Sequence, residues 1–242
     1  MEILSASLNK QTLSQQVADR MEQEIIARGS EGDRLPSEQQ LGEAYGVSRT
    51  IVREALKLLH ARGLVDSRPG SGAHITKPEA LAVSEVMARI IRMDSIDHRA
   101  IFEVRSILEE AAVKRAARSA DAAQLEAMAD VLERLKDRDL TADQRLDLDF
   151  SFHLLIAQAS GNPLLAMLVE AMANIIKRSM TSGVFVHGGI DDAIARHQKI
   201  LDTLLLKDPA LAGQAMREHL RQSLENVETH LKGTDAGKPH EG

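Results

Sequence analysis

Cysteine and tryptophan are both missing from this 242-residue chain, which holds one tyrosine and four phenylalanines. Without cysteine there is no disulfide framework, which fits a reducing compartment. So few aromatics argue against a sandwich or barrel built on aromatic-rich strands. No apolar run approaches the roughly 20 residues that span a bilayer. The first residues also lack the basic-then-apolar pattern of a secretory signal. Together these absences point to a soluble, cytoplasmic protein with no membrane partner. Abundant Ala, Leu, Glu and Arg favour helices.

The net charge of −6 argues at first sight against a nucleic-acid partner, but charge is unevenly laid out. Residues 1–78 balance to zero, and the whole deficit falls on 79–242. Within 46–77, Arg49, Arg53, Lys57, Arg62, Arg68 and Lys77 face only two anions, Glu54 and Asp66. Local charge, rather than the average, steers binding to phosphate.

That basic segment contains the most informative stretch of the chain, Gly46 to Leu56. Gly46 permits a tight turn. Ser48 can cap the helix that follows by accepting from its first backbone N–H groups. Arg49, Thr50 and Arg53 project from the first turns, while Val47, Ile51, Val52, Leu56 and Leu59 supply an apolar face. A helix that reads DNA needs such an anchored stripe, with donors near its N-terminus for phosphates and base edges. Upstream, Ser37 and Gln40 have capping-box spacing before a short first helix containing Leu41. Downstream, 63–68 and 73–76 read as strands joined by the turn Pro69-Gly70-Ser71-Gly72. A helix over 13–28 precedes the set. Helix, turn, helix and glycine-rich hairpin make a winged helix-turn-helix.

Residues 11–77, through the Leu35-Pro36-Ser37-Glu38 opening, the Val47-Ser48-Arg49 to Leu56 helix and the Arg68-x-Gly70-x-Gly72 wing, resemble the DNA-binding domain of GntR-family bacterial transcription regulators. Residues from about 80 to 232 resemble the all-helical FCD domain of its FadR subgroup. The resemblance implies a homodimer that binds a short, roughly palindromic double-stranded operator and answers to a small metabolite. It assigns groove reading to Arg49 and Arg53, and phosphate contact to Ser48 and Thr50, and Ser37 is also expected among the DNA-binding residues. It places Gly70 at the minor groove, with Arg68 beside it. Gln39 stands where several members carry a basic residue.

Beyond Pro78 the 3.6-residue periodicity predicts helices near 79–92, 97–118, 121–138, 143–160, 162–182, 190–207 and 209–232. Ser160-Gly161-Asn162-Pro163, Gly188-Gly189 and Lys207-Asp208-Pro209 mark three of the joints. The expected fold is therefore mainly α: an N-terminal winged helix-turn-helix (1–77), a connecting segment and first helix (78–96), and an antiparallel all-α bundle (97–232) for effector binding and dimerisation. Residues 233–242 are expected to form a disordered tail.

Three of the nine histidines fall on apolar helix stripes. Asp149 and His153 are four residues apart and emerge from one helix face. His197 and His219 each lie among aliphatic residues of a later helix. One divalent ion would satisfy all four, since a buried polar group left unpaired costs about 1–3 kcal/mol; hydrogen-bonded core histidines are the other reading. The set also matches the metal constellation of the resembled family. Three imidazoles and a carboxylate suit Zn²⁺, Ni²⁺ or another first-row ion.

Arg105 shares a stripe with Ile101, Leu108 and Ala112. A buried guanidinium needs an anion. That anion is either a structural partner such as Glu109 or a small organic acid effector, the role the resemblance implies. Asn162 resembles a recurrent family position and is also well placed to cap a helix. The expected function is a transcription regulator, in the commoner family arrangement a repressor, controlled by a small carboxylate at the metal. The alternatives are a DNA-binding dimer with a purely structural metal and a metal-dependent hydrolase. No separate general base is evident for the latter, so no enzyme activity is expected.

Overall fold

The computed structural model describes residues 11–68, 71–179 and 190–235, and only the backbone at 67–68, 178–179 and 231–235. The chain forms two compact units, Met1–Ala82 and Val83–Gly242.

In the first unit, α1 (Leu13–Arg28) begins at a capping box between Thr12 and Gln15 and buries Val17, Ala18, Met21 and Ile25. This 3.6-residue stripe is the sequence reason for the helix. The next helix, α2 (Glu38–Tyr45), starts at the Ser37–Gln40 capping box and stops at Gly46, whose φ of 65° is left-handed. Two residues later Ser48 caps α3 (Arg49–Ala61), which buries Val52, Ala55 and Leu59. These three join Leu41, Leu64, Val65, Ile75 and the α1 stripe in one core. Ala44 of α2 is exposed.

The hairpin pairs β1 (Val65–Arg68) antiparallel to β2 (Gly72–Ile75), with Val65 opposite Ile75. The segment between α1 and α2 adds a third member that sequence periodicity does not show. Leu35 N–H donates to Ala73 O at 2.9 Å and Ile75 N–H to Asp33 O at 2.8 Å. Thus β2 is hydrogen-bonded along both edges.

In the second unit, α4 (Ala80–Met93) begins before the unit boundary, and six further helices follow. These are α5 (His98–Ser119), α6 (Ala122–Leu135), α7 (Ala142–Ala159), α8 (Pro163–Ser179), α9 (Ile190–Leu205) and α10 (Pro209–Asp235). Asp97, Asp121 and Thr141 cap α5, α6 and α7. Asp208 accepts from Ala210 and Leu211 N–H at 2.9 and 3.0 Å to start α10. The main core gathers Val113, Met128, Leu132, Phe152, Ile156, Ile200, Leu204, Met216 and Leu220 from α5, α6, α7, α9 and α10. Each such side chain, fully buried, contributes about 1.5–3 kcal/mol.

Two boundaries differ from the periodicity. Helix α6 ends at Leu135 rather than near 138, because Arg145 of α7 donates to the carbonyls of Leu135 and Asp137 at 2.9 and 2.5 Å. These bonds satisfy carbonyls at the helix end that have no intrahelical donor. Helix α10 continues through Asp235, past the expected domain end. The expected extension of α8 over 180–182 lies outside the described residues.

A methyl added at Gly46 meets nothing within 4 Å, so only its left-handed backbone opposes substitution. Gly46→Ala should destabilise the winged-helix unit by about 1–2 kcal/mol. Urea unfolding followed by the fluorescence of Tyr45, the chain's single tyrosine, reads that unit alone. An unchanged midpoint would show that the turn relaxes freely.

Candidate metal centre and nucleic-acid interface

The N-terminal turns of α3 present Ser48, Arg49, Thr50 and Arg53 to solvent, while the opposite face is anchored in the core. Ser48 Oγ accepts from Ile51 N–H at 3.4 Å. Arg49 makes no hydrogen bond or ion pair among the described residues and stays available to an outside anion. Arg53 Nε donates to both carboxylate oxygens of Glu38 at 2.9 and 2.8 Å. That hydrogen bond is the main reason the Glu38 carboxyl lies below its ordinary range, with the charges of Arg53 and Arg49 adding to it. Sequence reading assigned Glu38 no role, although it follows the Ser37 cap directly. Ser37 is exposed, and its hydroxyl both donates to Gln40 Oε1 at 2.9 Å and accepts from Gln40 N–H at 3.3 Å.

The basic count over 46–77 overstates the charge free for phosphate. Arg62 is held by Asp19 and Glu22 of α1 at 2.7 and 2.5 Å, which makes it a structural strut. Lys57 pairs with Glu54 at 2.8 Å. Arg68 is placed only through its backbone in β1, opposite Gly72. Its side chain and the whole of Gly70 lie outside the described residues.

In the helical unit, Asp149 and His153 of α7, His197 of α9 and His219 of α10 bring their ligand atoms within 4.8 Å of one another. His153 Nε2 lies 3.1 Å from His219 Nε2 and 3.3 Å from His197 Nε2. Asp149 Oδ1 lies 3.2 Å from His197 Nε2. Neighbouring ligand atoms about 2.0–2.2 Å from a six- or four-coordinate ion stand roughly 2.8–3.6 Å apart, so the spacing fits a first-row cation. Three ring nitrogens aimed at one point repel one another unless a proton or a cation lies among them. The four residues are thus able to hold a metal ion.

Electrostatics favours the ligating forms. Burial lowers the pKa of His197, and its opposing hydrogen bond to the Asp149 carboxylate does not restore it. Burial, followed by the charges of His197 and His153, puts His219 well below the usual imidazole range. Both rings are therefore neutral near pH 7, the state that binds metal. Enclosure raises the pKa of Asp149, but its hydrogen bond with His197 and the charges of His197, His153 and Arg105 outweigh this and hold it far below the carboxylate range.

Arg105 is 2% exposed, and its guanidinium carbon lies 5.7 and 5.6 Å from the ring centres of Phe102 and Phe150. Its Nε donates to Glu109 Oε1 at 2.5 Å, whereas Nη1 and Nη2 are buried without a partner among the described residues. The other oxygen of Glu109 lies against His153 Nδ1. Burial pushes the Glu109 carboxyl up, but Arg105 and His153 together bring it down to about 2. Glu109 is the residue sequence reading underused, as it entered only as a possible salt-bridge partner. The Arg105-x-x-x-Glu109 spacing on a buried stripe was the available signal.

A cleft opens beside the cluster, lined by Asp149, His197 and His219, by Arg145, Arg196, Ser223 and Asn226, and by aliphatic residues including Leu146 and Ile194. Neither Arg105 nor Asn162 is on its wall. Asn162 caps α8, its Oδ1 accepting from Leu164 and Leu165 N–H at 3.1 and 3.3 Å. The structure thus brings Arg105 to the cluster through Glu109 and accounts for Asn162 as a cap. Two histidines given no role hold the wing instead: His60 Nδ1–H donates to Val65 O at 2.9 Å, and His74 contacts Ser71 and Gly32. His187 lies outside the described residues.

Comparison with known proteins agrees with both halves. Residues 13–75 match the family described as bacterial regulatory proteins, gntR family, and residues 100–222 match the FCD domain. The chain is 31% identical over 207 residues to the HTH-type transcriptional regulator LutR of Bacillus subtilis, covering 84% of this chain and 93% of that protein. It is also 31% identical over 226 residues to the HTH-type transcriptional repressor NanR of Escherichia coli K12, covering 89% and 84%. Among solved structures, Streptococcus agalactiae GntR superposes with a TM-score of 0.69 at 27% identity, covering 88% of this chain and 98% of that one. No helix among the described residues is long and apolar enough to cross a membrane. These relatives are regulators rather than enzymes, and an exposed, arginine-bearing helix set on a winged core is what such a regulator offers to DNA: this chain belongs to the GntR family of sequence-specific bacterial transcription regulators and carries the FCD domain.

Proposed function

We propose that the protein is a homodimeric repressor whose grip on its operator is set by a small organic acid bound at a divalent metal in the helical unit. The observation that carries this reading is the convergence of Asp149, His153, His197 and His219 beside a cleft, with the unpartnered Nη edge of Arg105 close enough for its charge to act on Asp149, His197 and His219. Four protein ligands leave one or two positions on a five- or six-coordinate ion, which a carboxylate fills. The ion, when bound, supplies a Lewis-acidic anchor for that carboxylate, and Arg105 supplies the second charge. A planar guanidinium suits a carboxylate bidentately.

DNA contact is assigned to Arg49 and Arg53 as groove readers, to Ser37, Ser48 and Thr50 as phosphate contacts, and to Arg68 and Gly70 at the wing. Glu38 holds Arg53 by Nε and so aims its remaining donors. Exposed Val104 and Ile107 on α5 and Leu211 on α10 are apolar surface that a second copy would cover. Two copies set the spacing of the half-sites that paired winged helices reach. The acid then favours one arrangement of the bundle, and residues 77–96 transmit it. Operator and acid must alter each other's affinity by the same factor. Release of the operator by the acid is the sense proposed, supported by the repressor among the relatives.

Protein purified without chelator should carry about one divalent ion per chain, and its removal should lower the melting temperature, because a ligand of the native state stabilises it. Folded protein free of metal after incubation with Zn²⁺ or Ni²⁺ would exclude the centre. The metal-free form should lose stability as pH falls. His197 and His219 take up protons near 6.5 when unfolded but resist them when folded, so the loss begins there. Glu109 and Asp149 extend the loss below about 4.5 by the same linkage. Urea midpoints between pH 8 and 4 should fall in that order, and a flat profile would refute the burial argument.

Arg49→Ala should abolish specific operator binding in a gel-shift titration while the melting curve stays unchanged. A lost arginine–base pair is worth about 1–3 kcal/mol per half-site. Unchanged affinity would mean that another element reads the groove. In a thermal-shift screen of small hydroxy-, keto- and sugar acids, an authentic effector should raise the melting temperature of the metal-loaded protein. Arg105→Met, which keeps the bulk, should remove that rise. A full response in this variant would exclude the arginine anchor.

A further inference from the structure

Between the arginine and the metal ligands stands one carboxylate that touches both. Glu109 is 3% exposed and uses Oε1 to accept from Arg105 Nε at 2.5 Å. Its Oε2 lies against Nδ1 of His153, whose other nitrogen, Nε2, points at His219 and His197. Arg105, Glu109 and His153 therefore form a continuous buried chain that ends at the proposed metal position. Glu109 sits one helical turn beyond Arg105 on α5, and His153 is supplied by α7.

The chemistry of each contact is fixed by what the groups can do. A carboxylate only accepts, so the ring nitrogen facing Glu109 must carry the proton. This selects the Nδ1–H tautomer of His153 and leaves the Nε2 lone pair directed at the cluster. A carboxylate behind a ligating imidazole also raises its basicity and locks the ring plane. On its other side, Glu109 occupies Nε of Arg105 and leaves both Nη atoms unused.

We infer that Glu109 is a positioning residue which ties the anion-binding arginine to the metal centre, so that Arg105 influences metal affinity through Glu109 and His153. This inference rests on the metal reading proposed above. It goes further in making the two binding groups energetically dependent on each other, with no contact between them. By linkage, an organic acid that moves Arg105 alters metal affinity, and the metal alters acid affinity by the same factor.

The test is competition for Zn²⁺ alone between a chromophoric chelator and wild type, Glu109→Gln, Arg105→Gln and the double variant. The amide of Glu109→Gln keeps the size but loses the charge. It should weaken Zn²⁺ binding by about 10–100-fold, the usual effect of removing such a partner. Arg105→Gln should also weaken it. In the Glu109→Gln background the arginine substitution should weaken binding no further, because the route through Glu109 is gone and the direct charge of Arg105 on the ligands only opposes a cation. The double variant buries no unpaired charge and remains measurable even where a single variant unfolds.

A strongly deshielded Nδ1–H proton of His153 should appear in the Zn²⁺-loaded wild type and be missing from the double variant. A residue that merely supported the fold would not move that resonance. Wild-type Zn²⁺ affinity in Glu109→Gln, or in the double variant, would overturn the inference while leaving the metal centre intact. Failure of the wild type itself to bind Zn²⁺ would overturn the metal centre, and the inference with it.

Discussion

Enclosing three imidazoles inside an aliphatic helical bundle, with an aspartate beside them at the cleft, is the constraint on which the C-terminal half depends. Each polar group carried into such a core costs about 1–3 kcal/mol if it finds no partner. The surrounding Phe152, Ile156, Ile200 and Met216 offset that cost, because every fully buried aliphatic or aromatic side chain returns a comparable amount. The bundle can therefore hold a preorganised donor set, and burial keeps protons off two of its rings. Ligands drawn from α7, α9 and α10 make a bound cation a cross-link between segments distant in sequence. A perturbation at the ion must then be felt by three helices together.

The DNA-facing half is organised by the opposite requirement, that charge stay outside. Its core is small and entirely apolar, and α3 is fixed to it by Val52, Ala55 and Leu59. Arg62 braces the end of α3 against α1, while Arg49 has no partner among the described residues. The division of labour among arginines that look equivalent is set by where acidic residues of α1 and α2 fall. Asp19 and Glu22 immobilise one arginine, Glu38 orients another, and none captures the third.

How much could be read beforehand follows the range of the forces involved. Local signals were legible. Ser37 and Ser48 begin helices because capping depends on residues three apart, and α1 runs from Leu13 to Arg28 as its stripe indicates. The convergence of the four metal-ligand candidates was also legible, since polar residues on apolar stripes must meet something. Non-local bonds were not. The early end of α6 is decided by Arg145, and nothing within α6 announces it. Glu109 reads as an ordinary i,i+4 partner of Arg105 until the fold supplies His153 from another helix. Asn162 carried two readings, and its Oδ1 serves the cap.

The short strap from Gly32 to Leu35 that hydrogen-bonds to the outer edge of β2 has a consequence for the hairpin in its proposed role at DNA. A lone ribbon of two four-residue strands is marginal in water. Flanked on both sides, β2 becomes the central strand of a three-membered sheet and is shielded from edge-to-edge aggregation. The base of the hairpin is consequently ordered in the free protein, and little conformational entropy remains to be surrendered there when the operator arrives.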